Sequence, residues 1–285
     1  MSVKVTIPSL IKWTGSKRSQ AANIFTLAPE YNNYFEPFLG GGSMMYLFSN
    51  PGSVGSDLYK PLIDLWLLVR DEPDKLIHDY REKWLHLNEE LDGIDLSQMS
   101  RGNGIPKTYY LARDNFNKYN SPLDLNFLMR TCVNGIVRFN DKGEFNNSFH
   151  LSRRGMKPDI FSKNVRLWNK KIQKVNFLCA DYRDIISKAE KGDFVYLDPP
   201  YAATKNRYVS QLQPEQLFSE LEKLNSRGVN WALSYDGRRG ESDLTYNIPK
   251  NIFKNLYYIH SGNSAVKKVL SGPVERVEEA LYTNY

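Results

Sequence analysis

Asp198-Pro199-Pro200-Tyr201 puts a carboxylate, two prolyl carbonyls and an aromatic ring on one short bend. Before it runs Phe194-Val195-Tyr196-Leu197, with the length and β-rich composition of a buried strand. Proline cannot donate to a strand ladder, so the chain must leave its sheet at Asp198. In open α/β sheets, ligands bind at that carboxyl edge. The chemistry suits a planar amine. A carboxylate and a carbonyl can accept both hydrogens of an exocyclic NH2, drawing the nitrogen lone pair out of conjugation and making it more nucleophilic. Tyr201 can stack on the face of the same ring. An enzyme acting on a base inside a duplex must first extrude it, and its pocket then reads the base edge by such bonds. The tetrapeptide alone serves equally well as a rigid turn with Tyr201 as packing.

Other strands and turns must position this bend. Residues 34–39 form a second candidate for a buried strand, running into Gly40-Gly41-Gly42-Ser43 and a helix over 44–48. Strand, glycine turn and helix let a backbone approach a ligand closely, although the spacing is not that of the dinucleotide fingerprint and a tight turn explains it nearly as well. Residues 54–57 end a short strand on Asp57, placed to accept from ribose hydroxyls or to cap a helix over 61–69. Residues 175–179 form a further strand ending near Asp181, which can accept from an adenine amino group or cap a helix over 182–188. At the start, residues 7–11 lead into the basic turn Lys12-Trp13-Thr14-Gly15-Ser16-Lys17-Arg18 and a helix over 19–27. Cations at a helix N-terminus oppose its dipole, so a negative group is expected beside Lys17 and Arg18, unless the turn is only solvated.

Beyond the bend, residues 202–208 form a basic loop with Lys205 and Arg207, 214–224 an amphipathic helix and 231–235 a strand, with Arg238 and Arg239 in the loop after it. Residues 259–272 read as a basic loop whose Lys267 and Lys268 could lie along a phosphate backbone, though a solvated connection is commoner. Residues 277–283 close the chain as a strand. The alternation implies an α/β fold with a mainly parallel sheet.

Between about 71 and 170 the character changes. Helical patterns over 76–91 and 108–119 alternate with polar loops such as 97–106, the apolar stretch 125–132 follows, Asn134-Gly135 marks a turn, and Asp141-Lys142-Gly143 a hairpin tip. Arg130, Arg138, Lys142, Arg153, Arg154 and Lys157 interleave with Asn126, Asn134, Asn140, Asn146 and Asn147. Arginine reads guanine, asparagine reads adenine and lysine holds phosphate, so the group suits an inserted recognition module, although most such side chains are simply polar surface.

The bulk composition is that of a globular protein: 285 residues, 41% hydrophobic, 25% charged and a formal net charge of +6, a modest lean toward a polyanionic partner. Cys132 and Cys179 lie in apolar contexts and are expected to be buried thiols, which fits a reducing cytosol. The histidines are scattered, so no metal is expected, and no segment has the length and apolarity to span a bilayer.

Lys12-Trp13-Thr14-Gly15-Ser16-Lys17, Phe35-Glu36-Pro37-Phe38-Leu39-Gly40-Gly41-Gly42 and Asp198-Pro199-Pro200-Tyr201, in this order, resemble the motifs of the Dam-like N6-adenine DNA methyltransferases, alpha group. Residues 130–149 resemble that family's target-recognition region; residues 92–106 have no counterpart. The resemblance implies S-adenosylmethionine as donor, S-adenosylhomocysteine as product, no metal, and double-stranded DNA as partner in the cytoplasm. A cognate restriction endonuclease is a possible genetic partner. It implies a Rossmann-like methyltransferase sheet with helices on both faces and an antiparallel C-terminal strand. Residues 1–60 and 171–285 would be catalytic, and 61–170 would be the mainly helical recognition domain with its β-hairpin. Carried over, Trp13, Lys17 and Phe38 would contact the donor, Gly40 and Gly42 would lie under its methionine part, Asp57 would take its ribose, and Asp181 its adenine. Asp198, also counted with the donor site, and the Pro199 carbonyl would bind the target amine under a stacked Tyr201. Arg130, Asn134, Arg138, Asn140, Lys142, Lys267 and Lys268 would contact DNA. The alternatives are the same fold acting on cytosine N4 or on RNA, and, more distantly, a non-catalytic DNA-binding regulator.

Overall fold

The computed structural model describes residues 6–94, 106–200, 212–239, 242–263 and 276–285. Tyr201, Lys205, Arg207, Lys267, Lys268 and most of the stretch 92–106 lie outside the described residues.

Strands β1 (Tyr34–Glu36), β2 (Val54–Asp57), β3 (Asn176–Cys179), β4 (Phe194–Leu197) and β5 (Asn230–Arg239) run parallel. With β6 (Ser242–Asp243), β7 (Asn255–Asn263) and β8 (Arg276–Thr283) they form a sheet of order β3-β2-β1-β4-β5-β8-β7, in which β6 pairs with β5. Strand β8 is antiparallel to both β5 and β7, the reversed terminal strand that the resemblance implied. The chain winds outward from β1 to β3, then crosses back to β4 on the other side of β1. The β1/β4 boundary is therefore the topological switch point, where carboxyl ends of strands splay and leave a crevice.

Successive side chains of a strand face opposite ways, and β4 obeys this. Phe194 and Tyr196 join the core on one side of the sheet, while Val195 and Leu197 join that on the other. The first core includes Ile24 of α1 (Ala21–Leu27), Phe48 of α2 (Ser43–Phe48) and Trp66 of α3 (Lys60–Asp71). The second includes Ile185 of α8 (Tyr182–Ile186) and Leu217, Leu221 and Leu224 of α9 (Pro214–Ser226). Helices thus cover both faces.

Between α3 and β3 come α4 (Pro73–Leu91), α5 (Lys107–Tyr119), α6 (Pro122–Thr131) and α7 (Pro158–Ile172). Their apolar faces join the first core, so the insert and the sheet share one interior. Between α6 and α7 the chain makes a hairpin closed by a Phe139–Phe145 bridge. The Asn140 side-chain oxygen accepts from the backbone N–H groups of Lys142 at 3.0 Å and Glu144 at 2.9 Å, fixing the tip.

Several expectations change. Helix α7 occupies a stretch to which the sequence assigns no element, and residues 259–263 belong to strand β7 rather than a loop. Arg238 and Arg239 lie within β5, not beyond it. Cys132 is buried, but Cys179 is exposed because β3 is an edge strand with only Phe177 buried. Among the described residues, no helix is long and apolar enough to cross a membrane.

Candidate active site

A cavity of about 480 Å³ opens at the switch point. It is lined by the basic turn around Trp13 and Lys17, the glycine turn after β1, the acidic tips of β2 and β3, and Asp198-Pro199-Pro200 after β4. Every donor-site residue expected from the sequence lines it: Trp13, Lys17, Phe38, Gly40, Gly42, Asp57, Asp181 and Asp198. Its size is that of small-molecule sites in general.

The glycine turn is fixed by sterics. Gly42 precedes α2 at φ +63°, and a Cβ there would stand 2.7 Å from the Trp66 ring. Gly40 is at φ +47°, and its Cβ would meet Trp13 at 2.9 Å. Only glycine takes such backbone angles in that space. Asp57 ties this turn to β2: its two oxygens accept from the backbone N–H groups of Gly40 at 3.2 Å and Tyr59 at 3.1 Å. Burial pushes the Asp57 carboxyl above its usual range, with these bonds opposing.

Asp181 caps α8, as one sequence reading had it, and also faces the cavity. Its Oδ1 accepts from the Arg183 backbone N–H and Nε, and its Oδ2 from Nη2 at 3.1 Å. Those bonds to Arg183 hold the carboxyl below its usual range. A carboxylate has about four lone-pair positions, so these three bonds leave Oδ2 room for one more donor. Phe38 and Tyr182 stack beside it, centroids 5.2 Å apart.

The negative groups expected beside Lys17 come from the chain itself. The Lys17 ammonium, only 4% exposed, lies 2.8 Å from Asp198 Oδ1 and 3.1 Å from Glu279 Oε2 on β8. Burial pushes the Asp198 carboxyl up to about 6, with Lys17 pulling down and Glu279 pushing up. Glu36, at the end of β1, is buried and accepts from the Tyr34 hydroxyl at 2.9 Å. Burial drives its carboxyl far above the usual range, with the Asp198 charge adding. Sequence reading passed over Glu36 and Glu279. The signal was available at Glu279, an acid on the inward face of a strand otherwise apolar at 280–282.

The residues expected to touch DNA divide. Arg138 and Lys142 are exposed on the hairpin, where Arg138 Nε donates to Asn146 Oδ1 at 2.9 Å. Asn134 is exposed at φ +57° in the preceding turn. Asn140 is largely spent inside the tip, its Nδ2 also donating to Glu144 at 2.9 Å. Arg130 needs correction as a DNA contact, for it is buried in the insert. Its guanidinium lies 4.7 Å from the Phe161 ring centroid and 5.7 Å from that of Tyr80, and donates to the Leu10 carbonyl and to Asn126 Oδ1. Burial lowers that guanidinium to about 10. Beside Arg138, Val137 and Phe139 turn the other way and line the cavity.

The family model of the D12 class N6 adenine-specific DNA methyltransferases matches residues 13–264. The chain belongs to that family. Its activity class is adenine-specific DNA methylation. The type II methyltransferase M1.LlaDCHI of Lactococcus lactis subsp. cremoris is 27% identical over 301 residues, covering 99% of this chain and 97% of that protein. The type II methyltransferase M.MjaIII of Methanocaldococcus jannaschii is 29% identical, covering 68% of this chain and 69% of that protein. The DNA adenine methylase of Serratia marcescens is 30% identical, covering 68% and 67% respectively. The family match spans the glycine turn, the hairpin and Asp198 together.

Proposed function

We propose that the protein transfers the methyl group of S-adenosylmethionine to the N6 amine of an adenine extruded from double-stranded DNA, within one short sequence context. The observation that carries this reading is the meeting of the glycine turn, the acidic tips of β2 and β3, and Asp198 in one cavity. The cavity fits that donor chemically. Glycines leave backbone exposed where a Cβ would fill the space, Asp57 suits ribose hydroxyls, and Asp181 keeps one acceptor position for an amino group. Trp13 and Phe38 supply apolar walls.

Bound there, S-adenosylmethionine supplies a methyl group on a sulfonium, whose C–S electron pair stays with sulfur as the N–C bond forms. The chain's own groups orient the amine. Asp198 Oδ1 holds Lys17, so Oδ2 and the Pro199 carbonyl are assigned to the two N–H groups, with Tyr201 on the ring face. The amine needs no strong base before attack; its surplus proton leaves afterwards through the Asp198 carboxylate to water. Positioning and a preorganised field do most of the work. Residues 61–170 would read the DNA, with Arg138, Asn134 and Lys142 in the lead, while 1–60 and 171–285 carry the chemistry. The type II names of two relatives support a restriction endonuclease as a genetic partner.

Replacing Asp198 by alanine tests the site. Methyl transfer to DNA is expected to fall ~10³-fold or more, with S-adenosylhomocysteine and DNA still bound. Near-normal transfer by that variant would remove Asp198 from the mechanism.

A further inference from the structure

Around the Lys17 ammonium stand two carboxylates, and a mechanism built on Asp198 alone uses only one. Glu279 Oε2 lies 3.1 Å from that ammonium, with 18% of its side chain exposed, and Asp198 Oδ1 lies 2.8 Å away. A lone Lys17–Asp198 pair would be neutral; with Glu279 ionised the cluster carries a net negative charge. We propose that Glu279 is a positioning residue, which by sharing Lys17 offsets the ammonium's pull on Asp198 and raises its basicity, so that ionised Asp198 is a stronger acceptor for the target amine and for the proton it sheds. This rests on the reading that Asp198 holds that amine.

Three observations support it. A second carboxylate, only partly exposed, is a poor way to stabilise a fold here, since partial desolvation offsets much of the attraction and Lys17 already has a partner in Asp198. Glu279 also occupies an inward position on a central strand: Ala280 and Tyr282 pack into one core and Leu281 into the other. Finally, local backbone is bent to bring it there. The β5–β8 register shifts between Ser234 and Gly237, and Asp236 sits at φ +50°. A Cβ on Gly237, at φ +151°, would stand 2.1 Å from the Glu278 carbonyl and 2.7 Å from Glu279 Cα, so only glycine allows β8 this close.

The other groups facing the cluster do not supply that charge. Burial drives the Glu36 carboxyl on β1 far above its usual range, against the Tyr34 hydroxyl bond, and so disfavours charge there. Tyr196 on β4 bonds Ser234 of β5 at 2.8 Å, and burial keeps its phenol protonated. Positive charge grows on the amine nitrogen as its new bond forms, and a net negative cluster beside it favours that state.

The sign of the effect is fixed. Asp198 must be ionised to accept, so the rate falls as pH drops through its pKa, and the Glu279 charge raises that pKa. Glu279→Gln is therefore expected to move the acid limb of kcat to lower pH by roughly one unit. It should also cut kcat on the plateau about tenfold and leave the KM for the donor near its wild-type value. A carboxyl-carbon NMR titration of Asp198, without donor or DNA, should shift in the same direction. Glu279→Asp, which keeps the charge but withdraws it by one methylene, should give a smaller shift and decides the matter if Glu279→Gln does not fold. Unshifted titrations in a folded variant would overturn the proposal, whatever its stability. A wild-type protein that made no N6-methyladenine would instead overturn the functional reading, while the NMR titration would still report on Glu279.

Discussion

Arginine and lysine side chains in this chain do four different jobs. Lys17 ends between two carboxylates, Arg183 restrains Asp181, and Arg138 stays on the surface. Arg130 goes further inward, against Tyr80 and Phe161, where its guanidinium serves the Leu10 carbonyl. Arg130→Ala is expected to lower stability by about 2–4 kcal/mol in urea unfolding, because it opens a cavity and strands buried acceptors. The salt dependence of DNA binding should not change, since no phosphate contact is lost. Intact stability with weakened DNA binding would put Arg130 back on the DNA side. Nothing in the interleaved Arg/Asn pattern separates Arg130 from Arg138, because burial is set by how α4 and α7 fold back over α6.

At the scale of elements, glycine decides where a ligand fits. Gly42→Ala forces a Cβ into the Trp66 ring at a left-handed backbone angle. Strain of about 1–3 kcal/mol follows. Calorimetry should show S-adenosylhomocysteine binding at least ~10-fold weaker, whereas unchanged binding would show that the turn adjusts freely. The strand–turn units around Gly40–Gly42 and Asp198 were legible in the sequence because each is punctuated locally by glycine or proline. Helix α7 was not, although Phe161, Val165, Trp168 and Ile172 have helical spacing; Lys163, Arg166, Lys170 and Lys171 between them dilute that apolar signal. The end of strand β7 reads as a loop because His260, Gly262 and Asn263 carry no strand signal and are held in the strand by pairing with β8. Glu279 lay in a strand the sequence did show, but its pairing was not legible because its partner Lys17 lies at the other end of the chain.

At the scale of the whole molecule, one chain crossing places everything. Winding from β1 to β3 and back to β4 sets the glycine turn and Asp198 on either side of one crevice. The insert leaves after α3 and returns to β3, and its hairpin sends Val137 and Phe139 down to line that cavity while Arg138 points outward. Family and fold class could be read from ordered motifs; the shared core between insert and sheet could not, because it depends on contacts between distant segments. The central claim is that this crevice delivers a methyl group to adenine N6. Base-resolution mapping of methylation in DNA from cells producing the chain tests it most directly. The expected result is N6-methyladenine in one short sequence context with the wild-type chain, and none with Asp198→Ala. Methyl groups on cytosine N4, or unmodified DNA in the presence of folded wild-type protein, would contradict it.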